Sequence, residues 1–107
     1  MDCYNKLVCI LEKYFSEKDW KKNFLYGGCY WFAEFLHQRI PGTCLVINRD
    51  IEHCALYLEG VVVDVQGKIS SNGFHRASER EISFMKKNYV PKFDVVEVEA
   101  YLKDNGF

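Results

Sequence analysis

Apolar and polar positions alternate in patterns that divide the chain into helices and strands. Residues 3–15 carry Cys3, Leu7, Ile10, Leu11, Tyr14 and Phe15 three and four apart, which predicts an amphipathic helix. Ser16-Glu17-Lys18-Asp19 interrupts it, and Ser16 is expected to cap a short second helix through Trp20. A third helix opens at Cys29 and runs through good helix formers, residues 30–39, to a stop at Pro41-Gly42. It carries Cys29, Phe32, Ala33, Leu36 and Ile40 on one stripe, widened by Trp31 and Phe35. A surface that broad demands cover, so this helix is expected to lie buried against a sheet.

Residues 43–48 predict a strand and Arg49-Asp50 the turn after it. His53-Cys54-Ala55-Leu56-Tyr57-Leu58, then Glu59-Gly60, then Val61-Val62-Val63-Asp64-Val65 is the clearest hairpin in the chain. With Glu59-Gly60 as the loop, Leu58 faces Val61 and Ala55 faces Asp64. Opposed residues point to one side of a sheet, as do alternate residues on one strand, so His53 and Asp64 share a face as diagonal neighbours. Their backbones are then roughly 7–8 Å apart, a span an imidazole and a carboxylate can close. The opposite face holds Cys54, Leu56, Leu58, Val61, Val63 and Val65 and is almost pure hydrocarbon.

Residues 68–77 read as a loop, and Ser78-x-x-Glu81 as a capping box before a helix through about Lys87. Pro91 breaks the pattern, and residues 93–98 predict a closing strand. The whole, residues 1–107, is expected to form a single α+β domain with N-terminal helices packed on a small antiparallel β-sheet.

Composition narrows the function. Fourteen basic against 15 acidic side chains leave no electrostatic case for nucleic acid or an anionic membrane. Lys18, Lys21 and Lys22 read as a solvated face. The first residues lack the basic lead and apolar run of a secretory signal, and no stretch approaches the roughly 18 apolar residues of a membrane span. A soluble, cytoplasmic protein is expected. Its five cysteines show no C-x-x-C pair, so they are expected to be free thiols, with neither metal nor organic cofactor required.

One cysteine stands apart. Gly27-Gly28 frees the backbone just before Cys29, which sits where the third helix begins, and partial positive charge there favours an anionic sulfur. His53 and Asp64 follow in an order that nucleophilic thiol chemistry uses. Cys29 would be the nucleophile, His53 the base and acid, and Asp64 the group that orients the imidazole. The backbone N–H of Cys29 is the natural first donor to a developing oxyanion. His37 lies eight residues along the helix from Cys29, about 12 Å of rise, and is too distant to serve; His75 is the reserve base.

The stretches Gly-Gly-Cys-Tyr-Trp-Phe-Ala at 27–33, His-Cys-Ala-Leu-Tyr-Leu at 53–58 and Gly-Val-Val-Val-Asp-Val-Gln-Gly at 60–67 resemble the papain-like cysteine peptidase superfamily in its compact bacterial and phage forms. These forms include NlpC-like amidases and transglutaminase-like proteins. The resemblance implies a papain-like core and assigns the Cys-His-Asp roles to Cys29, His53 and Asp64. It also implies a polar oxyanion-hole side chain six residues before the nucleophile, at Asn23, with Tyr26 as second candidate. The spacing from Cys29 to His53 favours the NlpC-like or minimal papain-like form over the transglutaminase-like one. The implied activity is hydrolysis of an amide, peptide or isopeptide bond in a protein or peptide-like substrate through an acyl-thioester. Two alternatives stay open: acyl transfer or deamidation through the same thioester, and a binding or inhibitory protein with a vestigial triad.

Overall fold

The structure is a computed structural model that describes residues 2–25 and 27–107. Its elements run α1 (Asp2–Phe15), a 3-10 helix (Trp20–Phe24), α2 (Cys29–His37), β1 (Cys44–Asn48), β2 (His53–Leu58), β3 (Val61–Asp64), β4 (Gly67–Ile69), β5 (His75–Arg76), α3 (Glu79–Asn88) and α4 (Val95–Asp104). The protein is α+β. The five strands make one antiparallel sheet in the order β4-β3-β2-β1-β5, with β2 at its centre.

Period and parity decide what is buried. In α1, Tyr4, Leu7, Ile10 and Leu11 are buried at helical spacing. They join Phe24, Phe32, Phe35 and Leu36, and from the sheet Cys54, Leu56, Leu58, Val63 and Val65, in one core. The opposite face of the sheet holds a smaller cluster of Val46, Ala55 and Val62. The hairpin has the expected register, Leu58 opposite Val61 and Leu56 opposite Val63. Its loop residues Glu59 and Gly60 both adopt positive φ, 51° and 84°, the twist of a type I′ turn. Among the described residues no helix is long and apolar enough to cross a membrane.

Four local expectations are corrected. Ser16 adopts φ 51° and its hydroxyl donates to the Lys13 carbonyl, so it closes α1 instead of capping the next helix. That next helix is the 3-10 turn from Trp20 to Phe24, not one ending at Trp20. Residues 68–77 are not all loop, because β4 and β5 add short edge strands there. The closing strand at 93–98 is a helix: the Asp94 carboxylate accepts from the Glu97 amide as an N-cap, and Val98 and Leu102 are buried four residues apart. Closely spaced valines mimic a strand there, and the cap outweighs them.

Candidate active site

Cys29 is fixed by close backbone packing at the mouth of α2. A Cβ on Gly28 would lie 1.9 Å from the carbonyl oxygen of Asn23, and one on Gly27, at φ 62°, would lie 2.6 Å from that of Val90. Only glycine lets the 3-10 helix and the segment after α3 close on the same point. No side chain of the described residues caps α2. Trp31 and Phe32 donate to the Gly28 carbonyl, and the first-turn N–H of Cys29 lies ahead of them with no partner inside the helix.

His53 begins β2, and Asp64 ends β3. The imidazole Nε2 is 2.8 Å from Asp64 Oδ2, so the two side chains meet on the face that register assigns them. Asp64 is held from two further sides. Its Oδ1 accepts from the Gln66 amide at 2.8 Å, and its backbone carbonyl accepts from the buried Tyr4 hydroxyl at 2.6 Å. The ring of Phe74 stands edge-on to the imidazole with centroids 6.1 Å apart.

The sulfur reaches this pair at the end of β2. Pairing with β3 covers Leu56 to Leu58, which leaves the Cys54 amide beyond it, and that amide donates to Cys29 Sγ at 3.4 Å. Burial alone would lower the pKa of His53, but the Asp64 hydrogen bond, and a hydrogen bond and charge interaction with Cys29, raise it from 6.5 to about 9. The imidazole has Asp64 on Nε2, and the Cys29 sulfur lies against the amide of the next residue, Cys54. Since Nε2 is taken by Asp64, Nδ1 is the nitrogen left for the sulfur. The neighbouring Cys54 thiol is pushed well above its usual range by burial and stays neutral.

Cys29 itself is 3 % exposed. A groove of about 900 Å³ opens on His53 and Asp64, with Tyr89 in its wall, and Cys29 is not among its lining residues. Trp31, two residues into α2 from Cys29, donates from Nε1 to the Tyr89 carbonyl at 3.3 Å, which anchors that wall to the helix.

The remaining candidates sit elsewhere or are occupied. Asn23 is buried, and its side-chain amide donates to the Trp20 carbonyl at 2.9 Å and to Glu17 at 3.4 Å. Both amide hydrogens therefore have partners, one in its own turn and one just before it. Tyr26 lies outside the described residues. His75 is tied to Glu81 at 2.9 Å on the surface, and His37 bonds Thr43 at 2.9 Å at the far end of α2. Among the described residues no group of three or more His, Cys, Asp or Glu gathers to hold a metal ion. The groove wall from α3, with Phe84 and Tyr89, is not foreseen by the sequence pattern. Phe84 lies off the buried stripe of its helix, which is the signal a sequence reading could use.

No curated protein and no solved structure matches the chain. A family model described as Phage YunG-like protein matches residues 3–103, and so nearly the whole chain; the protein belongs to the phage YunG-like family.

Proposed function

We propose that the protein is a cysteine-dependent hydrolase of amide, peptide or isopeptide bonds, built on a papain-like core. The observation that carries the reading is the imidazole of His53, held by Asp64 at 2.8 Å, with the Cys29 sulfur bonded at 3.4 Å to the amide of the next residue, Cys54. Cys29 Sγ attacks the acyl carbon, and the carbonyl electron pair moves onto oxygen, where the Cys29 N–H can receive it. The proton given up by the thiol resides on His53, which passes it to the leaving amine as the C–N bond breaks. Water then attacks the thioester, giving its proton to His53, and the thiol leaves with that proton restored. An amine in place of water makes the same site an acyltransferase, and a primary amide substrate makes it a deamidase. The substrate is a protein or peptide-like chain, with no nucleic acid or membrane involved. Five free cysteines favour a reducing, cytoplasmic setting.

A second reading has its own support. Cys29 is buried beside the Tyr89 wall, as expected of a binding protein whose triad is vestigial. Alkylation with dilute iodoacetamide between pH 5 and 8, followed by peptide mapping, separates the two. A hydrolase labels first at Cys29, even at the acid end, and loses that selectivity in His53→Ala. Uniform slow labelling led by the exposed Cys9 supports the binding protein.

A further inference from the structure

The groove beside the triad has a composition that selects its occupant. Among the described residues its charged lining groups are Glu52, His53 and Asp64, with no lysine or arginine. His53 and Asp64 are spent on each other, and the second Asp64 oxygen is taken by Gln66. Glu52 is different. Its carboxylate is exposed and has no hydrogen-bond or ion-pair partner among the described residues, one position before the imidazole. Its backbone is held at φ 49°, a left-handed conformation that costs a non-glycine residue energy and recurs at functional sites.

The rest of the lining is apolar or amide. Ile51 is 64 % exposed and Phe84 58 % exposed, two large side chains left in solvent at the same groove. Gln66 and Asn72 add exposed amides, each both donor and acceptor, which match a peptide backbone. A volume of about 900 Å³ is at the top of the range for small-ligand pockets.

We infer, resting on the hydrolase reading, that this groove takes an extended polypeptide segment carrying apolar side chains against Ile51 and Phe84 and a basic residue against Glu52. An acidic segment would bring carboxylates to a groove whose described lining holds an unpaired carboxylate and no lysine or arginine, and is rejected.

The test compares three methanethiosulfonates on the full chain: trimethylammonioethyl, sulfonatoethyl and methyl. Each forms a disulfide with the attacking sulfur and releases methanesulfinate. Rates at Cys29 are divided by those at exposed Cys9 in the same molecule, read by peptide mapping. The ratio is expected to be at least about fivefold higher for the ammonium reagent than for the sulfonate, and Glu52→Gln brings the two within about twofold. Acetyl-Phe-Lys-Leu-amide slows the methyl reagent at Cys29, and acetyl-Phe-Glu-Leu-amide does not. A charge-blind or sulfonate-favouring ratio at a reactive Cys29, or protection by neither peptide, overturns this inference alone. No reaction at Cys29 with any of the three overturns the hydrolase reading and the inference with it.

Discussion

His53 Nε2 and Asp64 Oδ2 stand 2.8 Å apart although the two residues are not opposed in the hairpin that carries them. Ala55, not His53, is the position across from Asp64, and the contact is a diagonal one closed by two side chains leaning toward each other. That arrangement fixes one imidazole nitrogen and leaves Nδ1 free of the carboxylate. It also gives the pair a measurable titration.

The His53 pKa, raised from 6.5 to about 9, makes the imidazolium the dominant form at neutral pH. A raised folded-state value stabilises the fold fully below pH 6.5, and the gain is lost as pH climbs through about 9. A tenfold change in proton affinity is worth about 1.4 kcal/mol, so the loss across that window is roughly 3–4 kcal/mol. NMR of the ring protons should give a midpoint near 9, and Asp64→Asn should weaken proton binding by at least about tenfold. A midpoint near 6.5 in the parent protein would contradict the pairing.

Tyr4→Phe tests the tie between α1 and the carboxylate. The Tyr4 hydroxyl donates to the Asp64 carbonyl in a buried setting, and burial followed by the Asp64 charge pushes its pKa up to about 12, so it stays a donor. Removing it orphans a buried acceptor at a cost of about 1–3 kcal/mol. Urea unfolding should report that loss, and the His53 titration should move or broaden as Asp64 gains freedom. An unchanged midpoint and stability would mean that the bond holds nothing in place.

Much of this site is legible in the chain. The two-residue periodicity of the hairpin and the Glu59-Gly60 turn determine which residues share a face, and that alone brings His53 to Asp64. The Gly27-Gly28 pair marks the start of α2 for a steric reason, the crowding of backbone at the helix mouth. What stays hidden depends on long-range contact. Asn23 can be counted from Cys29, but its amide is claimed by Trp20 and Glu17, which no spacing reveals. Tyr89 joins the groove through the Trp31 indole, 58 residues away. The helix α4 reads as a strand because Val95, Val96 and Val98 have strand propensity, while the deciding feature is one capping carboxylate at Asp94.

Gly28→Ala should be among the most damaging single substitutions in the chain. Its new Cβ would meet the Asn23 carbonyl oxygen at 1.9 Å, backbone against backbone, with no flexible side chain to yield. The 3-10 helix and α2 must separate, which costs about 3 kcal/mol or more. The thermal midpoint should drop by about 10 °C or more for a chain of this size. Gly42→Ala is a control, because no atom lies within 4 Å of its Cβ and only its φ of 81° opposes the change. If the two variants unfold alike, the helix mouth is not closed by this contact.

The groove wall depends on a cap at some distance from the His53–Asp64 pair. Ser78 Oγ accepts from the Glu81 amide at 3.1 Å, and Glu81 accepts in return from the Ser78 amide at 3.0 Å. That backbone bond and the His75 ring hold the Glu81 carboxyl down to about 2. A depressed carboxylate contributes stability above pH 4.5 that is lost as pH falls through about 2. Ser78→Ala removes the reciprocal bond and should cost about 1 kcal/mol, concentrated in α3. Because α3 presents Phe84 and Asn88 to the groove and leads into Tyr89, the loss should appear first as faster amide exchange from 79 to 88. Exchange in β2 and β3, most of whose residues are buried, should be unmoved. Acidification of the parent protein toward about pH 2 should reproduce the same pattern, α3 opening before the sheet. Exchange rising equally in β2 would instead mean that the wall and the hairpin strands melt as one unit, and the groove could not be loosened without losing the His53–Asp64 pair.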